Sequence, residues 1–148
     1  IIIGDLQMNR RLFIKRLFIL GSIGILNNSS ALARSEKTSV LHGPLAGSVY
    51  YTAEAPGRWH KKVSGHLPSI EKSENKIEVT TGHEMRGFEH YIVKHTIFDE
   101  NFILLSEKMF DPSRDIPVST HDISGIKNII FAMSVCNKHD AWLNALEI

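Results

Sequence analysis

From Lys62 to the C-terminus the chain is a series of short runs in which apolar and polar residues alternate, and no 3.6-residue periodicity persists. Side chains on a strand alternate between two faces, so such runs suit half-buried sheet and not amphipathic helix. His90–Phe98 alternates most strongly, placing Tyr91, Val93, His95 and Ile97 on one expected face. Asp99-Glu100-Asn101 reads as a tight turn and Asn101–Phe110 as the return strand of a hairpin. Lys76–Thr81, Val118–Ile123, the dense apolar run Asn128–Cys136 and the closing run Trp142–Ile148 supply further strands, with Asp111–Asp115 as a loop. Short strands at near-regular spacing predict an all-β domain, a β-sandwich of about seven strands. At 43% hydrophobic content, 148 residues suffice for one such core.

The N-terminus reads differently. Basic Met8-Asn9-Arg10-Arg11-Leu12-Phe13-Ile14-Lys15-Arg16 precedes the apolar run Leu17–Leu26, and Ala31-Leu32-Ala33 offers small residues for cleavage. This is the layout of a secretory signal, and the paired arginines give it twin-arginine character. Residues 1–33 are therefore expected to be a twin-arginine signal cut after Ala33, with Met8 as the true start. The protein would be periplasmic or otherwise exported by the twin-arginine translocation machinery. Residues 34–56 form an extended lead-in with a short strand at Ser48–Thr52, and 57–148 form the sandwich domain. The whole chain carries a formal charge of +1. Beyond residue 33 there are 13 Lys or Arg and 15 Asp or Glu, a net of −2. Neither value suits nucleic-acid binding, which calls for a basic excess.

Four histidines and the lone cysteine fall within the sandwich region: His66, His83, His90, Cys136 and His139. One cysteine cannot form an intramolecular disulfide. Cys136-Asn137-Lys138-His139 places thiol and imidazole three residues apart, close enough to reach one metal from one turn, with Asn137 and Lys138 as slack. Proline at position 68 restricts Leu67 and so fixes the loop bearing His66. A structural zinc site is closed by four ligands, and five candidates exceed that. Imidazoles and a thiolate suit a redox-active first-row metal. A square of four nitrogens with an axial sulfur leaves one octahedral position open, which suits inner-sphere chemistry at Fe2+. Four neutral imidazoles and one thiolate on Fe2+ leave a formal charge of +1, attractive to a small anion.

His66-Leu67-Pro68, the His83/His90 pair followed by Tyr91-Ile92, and Cys136-Asn137-Lys138-His139-Asp140-Ala141-Trp142 resemble the superoxide reductase (desulfoferrodoxin/neelaredoxin) family over residues 57–148. The resemblance implies an immunoglobulin-like sandwich and one iron, cycling between Fe2+ and Fe3+. It implies that His66, His83, His90 and His139 bind equatorially and Cys136 axially. It implies one-electron reduction of superoxide to hydrogen peroxide, an external electron donor and a homo-oligomer. Many members carry Glu-Lys before the first histidine; here Ser64 and Gly65 occupy those positions. Lys62, ahead of Lys61, is the expected substitute for the lysine. The His83–His90 span is one residue longer than expected, and Gly87 is placed to absorb it in a bulge. The alternatives are a non-catalytic iron-binding carrier, sensor or accessory module on the same scaffold, and a sandwich with structural zinc or copper.

Of the other histidines, His95 is expected in the core and His42, His60 and His121 on surface loops. Glu84 and Glu89 read as solvated charges, and Trp142 as a core plug beside the metal loop.

Overall fold

The computed structural model of the protein describes residues 39–148; the expected signal segment, 1–33, and the first residues of the expected lead-in lie outside them. Among the described residues, seven strands form two antiparallel sheets. They are β1 (Ser69–Ser73), β2 (Lys76–Thr80), β3 (Ile92–Phe98), β4 (Leu104–Met109), β5 (Val118–Asp122), β6 (Ile129–Cys136) and β7 (Asp140–Glu147). The three-stranded sheet runs β1-β2-β5 and the four-stranded sheet β4-β3-β6-β7. Ile77 and Val79 of β2 pack with Ile97 of β3 and with Ile130 and Ala132 of β6, so the sheets meet face to face as a sandwich.

β6 explains its unbroken apolar run. Ile130 and Ala132 face the opposing sheet, while Ile129 and Phe131 face outward against Leu143 and the lead-in residues Val40, Leu41 and Tyr50. A strand buried on both faces needs no alternation. Where the lead-in meets the domain, Gly57 has φ +46°, and a Cβ there would lie 2.2 Å from the Gly47 carbonyl oxygen, so only glycine allows this crossing.

Four local expectations change. β1 was not foreseen, because Ser-Ile-Glu-Lys-Ser is mostly polar; it survives as an exposed edge strand through its register with β2. Ser48–Thr52 is not a strand but makes isolated bridges, in which Tyr51 adds to β7 beside Trp142. The register of β3 on β6 shifts between Ile92 and Lys94. The bulge slips the alternation by one, so Ile92 and not Val93 is buried ahead of His95 and Ile97. Finally, His121 is not on a surface loop: it lies in β5 and is buried, between the Ser106 and Ser119 hydroxyls. His42 and His60 are exposed and His95 is buried, as expected.

Candidate metal centre

Each donor reaches the site from a segment with its own local cause. Val63–His66 forms one helical turn (α1), which Leu67 ends in the extended conformation required before Pro68. The ring of His66 is buried, and its Nδ1–H donates to the Lys62 carbonyl at 2.9 Å, turning the Nε2 lone pair inward. His83 follows β2, with its backbone N–H on the Thr81 carbonyl at 2.7 Å. His90 ends a loop in which Gly87, at φ +55°, opens a 3-10 turn over Gly87–Glu89, and Arg86 bridges back to His90. Cys136 and Asp140 close the β6–β7 hairpin as register partners, with His139 in the turn between them.

The five donor atoms lie within 4.8 Å of one another. His66 Nε2 stands 3.0 Å from His139 Nδ1, which stands 3.0 Å from His90 Nε2, which stands 3.0 Å from His83 Nε2. The rings of His83 and His66 meet edge-on at 4.6 Å between centroids and complete the circuit. A square with such an edge has its centre about 2.1 Å from each corner, the length of a metal–imidazole bond. Cys136 Sγ sits to one side, 3.6 Å from His139 Nδ1 and 3.9 Å from His83 Nε2, and accepts the Lys138 N–H at 3.4 Å. The residues therefore fit one metal ion held by four nitrogens and one sulfur.

Burial is the main cause that pushes the His66 imidazolium down to about 4, with smaller contributions from the charges of His83, His139 and His90. Burial also leads the downward shifts of His83, His90 and His139. Near neutral pH the rings are neutral and present lone pairs, which is the state a metal needs. His83 Nδ1 is buried with no partner of normal hydrogen-bond geometry among the described residues.

A cleft of about 460 Å³ opens over the site, lined by all four histidines together with Lys61, Lys62, Ser64, Arg86 and Lys138, whereas Cys136 does not line it. The positive charge of Lys62 contributes to the lowering of both His90 and His139. Glu84 is exposed and ion-paired with Arg86, and Glu89 is exposed and paired with Lys138 at 3.4 Å.

Sequence reasoning missed the bracing around the ligands. Asn137 is no slack: its Oδ1 accepts the Tyr91 N–H at 3.0 Å, and its Nδ2 donates to the Phe88 and Glu89 carbonyls at 3.2 and 3.1 Å. Trp142, fully buried as foreseen, donates from Nε1 to the His139 carbonyl at 2.8 Å. Trp59 stands edge-on to the His139 ring at 4.7 Å and donates to Asp140 at 2.9 Å. Nothing in the sequence pairs residue 59 with residue 140; only the folded loop does.

No protein-family model matches the chain, and no curated protein does. Solved structures do. A point variant of the superoxide reductase (neelaredoxin) from Ignicoccus hospitalis is 26% identical, covers 69% of this chain and 94% of its own, and superposes with a TM-score of 0.61. A second variant of that protein gives 26%, the same coverage and 0.58. The superoxide reductase (1Fe-SOR) from Giardia intestinalis, at 24% identity, 57% and 99% coverage and a TM-score of 0.50, shares the fold. Superposition on superoxide reductases, together with a cluster of four histidines and one cysteine able to hold one metal ion, makes this chain a superoxide-reductase-like oxidoreductase of the β-sandwich class.

Proposed function

We propose that the protein is an exported superoxide reductase whose iron is held by His66, His83, His90, His139 and Cys136. The observation that carries this reading is the cluster of four imidazoles whose nitrogens stand 3.0 Å apart in three successive pairs, beside a cleft that the cysteine does not line. A metal held by these five residues would be reached from that cleft, on the side that the histidines line and Cys136 does not. An iron held there would supply the single electron that, with two protons, converts superoxide to hydrogen peroxide, and an external donor would restore that electron.

The chain's own residues prepare this chemistry. The α1 turn and the Lys62 carbonyl aim His66, and the β6–β7 turn aims Cys136 and His139. Lys62 lines the cleft and acts on His90 and His139 through its charge. It draws the anion in and offers a proton from Nζ. Ser64 and Gly65 carry no carboxylate, so no side chain at those positions competes for the open position. Residues 1–33 direct export as a twin-arginine signal, and the mature protein works outside the cytoplasmic membrane, as a homo-oligomer.

Cys136→Ser should abolish both the thiolate-to-iron absorption band and superoxide consumption; retention of both would refute the ligand assignment. Pulse radiolysis of Lys62→Ala should show the second-order rate falling, by up to about ten-fold, the lower end of the gain from a positively lined cleft. An iron centre that reduces readily yet ignores superoxide would favour the second reading, a non-catalytic electron carrier, for which the missing Glu-Lys pair speaks.

A further inference from the structure

Between the sheets runs a chain of buried hydrogen bonds that the metal chemistry does not use directly. Thr81 Oγ1 donates to Ser134 Oγ at 2.9 Å and pairs with His95 Nε2 at 2.9 Å. His95 Nδ1 pairs with Ser119 Oγ at 2.8 Å, Ser119 Oγ with His121 Nε2 at 2.8 Å, and His121 Nδ1 with Ser106 Oγ at 2.6 Å. With Thr81 donating to Ser134, each remaining bond takes one donor. His95 Nε2–H donates to Thr81, Ser119 O–H to His95 Nδ1, His121 Nε2–H to Ser119, and Ser106 O–H to His121 Nδ1. Both imidazoles are thereby held neutral in one tautomer.

Thr81 is the hub. It follows β2 of one sheet, and its hydroxyl bonds both members of a register pair, His95 and Ser134, on β3 and β6 of the other. All three side chains are buried. Its backbone N–H donates to the Pro117 carbonyl at 3.0 Å, and its carbonyl accepts the His83 N–H at 2.7 Å. His83 lies two residues beyond Thr81, Cys136 two residues beyond Ser134, and His90 five residues before His95. One hydroxyl thus ties together the three segments that deliver these ligands, with no contact to the ligands themselves.

We propose that Thr81 is a positioning residue for the metal centre: its hydroxyl fixes the spacing between the His83 segment on one sheet and the His90 and Cys136 segments on the other. The buried network is retained for ligand geometry as well as for stability. This rests on the reading of the five residues as a metal site.

The test uses the full chain, with Fe2+ as the probe, and reads the iron dissociation constant and the energy of the cysteine-to-iron absorption band. Thr81→Val keeps the shape and removes the hydroxyl. It should weaken iron binding about ten-fold, the lower end for residues that orient metal ligands, and displace the band. Thr81→Ser should restore both. Ser106→Ala, at the far end of the network, should lower thermal stability and leave both readouts unchanged. Should Thr81→Val not fold, Ser134→Ala removes one of the two hub bonds and should shift the band in the same direction. Unchanged affinity and band in Thr81→Val, or in Ser134→Ala, would overturn the role of Thr81. Equal losses in Ser106→Ala would do so too, since they would reduce the effect to general stability. Wild-type protein that takes up no iron would instead refute the metal site itself.

Discussion

Trp142 fills the core and also bonds the carbonyl of a metal-site residue, so its two roles can be separated by substitution. Trp142→Phe keeps most of the apolar surface and removes the donor to the part-buried His139 carbonyl. The expected loss is about 1–3 kcal/mol of unfolding free energy, read from denaturant midpoints, since the lost hydrogen bond and the vacated space both cost stability. His95 sets a second expectation at this scale. Burial foremost, and the charge of His121 next, push its pKa from 6.5 down to about 4. Above pH 6.5 the ring is neutral in both folded and unfolded chains. As pH falls below 6.5 the unfolded chain takes up a proton that the folded one refuses, so stability declines until the folded pKa is reached. At 1.36 kcal/mol per unit this approaches about 3 kcal/mol. His121 shifts in the same direction. Urea midpoints of metal-free protein between pH 7 and 4.5 should fall, and His95→Gln should make the profile shallower, the remainder coming from His121 and the four histidines of the metal site. The core position of His95 was legible because the residue sits mid-run among apolar neighbours. His121 was not, because its run, Val-Ser-Thr-His-Asp, looks solvated until Ser106 and the opposite sheet are brought against it.

The β6–β7 hairpin was the most legible element, since an apolar run, a short turn and Cys-x-x-His need no distant partner to be recognised. What escaped was the role of Asn137 within it. Its side chain and backbone N–H join the turn to Phe88, Glu89 and Tyr91 across a gap of more than 40 residues. Such a contact exists only once β3 lies beside β6. Asn137→Ala should release the loop bearing His90, weakening iron binding by about ten-fold and hastening iron release to a chelator. Unchanged release kinetics would show that the loop holds itself. β1 was missed for the opposite reason: a polar edge strand carries no hydrophobic signal, and its pairing with β2 alone defines it. The bulge at the start of β3 cannot be read from alternation either, because it is the departure from alternation.

For the molecule as a whole, the distribution of charge matters more than its sum. Residues beyond 33 carry a net −2, yet Lys61, Lys62, Arg86 and Lys138 gather around one cleft. Glu84 is the one carboxylate among the lining residues, so a small anion meets a local excess of positive charge at the cleft. The second-order rate with superoxide should therefore fall as ionic strength rises, because the Debye length shrinks from about 30 Å at 0.01 M to about 8 Å at 0.15 M. Stopped-flow or pulse-radiolysis rates across that range would measure it, and a flat profile would remove steering from the account.

The donors also differ in how far apart they stand along the chain. Cys136 and His139 share one hairpin, whereas His66 lies 73 residues before His139, and its contact with that ring needs α1, β1, β2 and the opposite sheet in place. Closing so long a loop is entropically costly and slow compared with forming a hairpin. A metal ion reaching the nascent chain would meet a two-donor fragment of low selectivity, and the full set would exist only after the sheets dock. Capture of the correct ion is therefore a late event in folding, and the compartment in which the chain completes its fold decides which metal it carries.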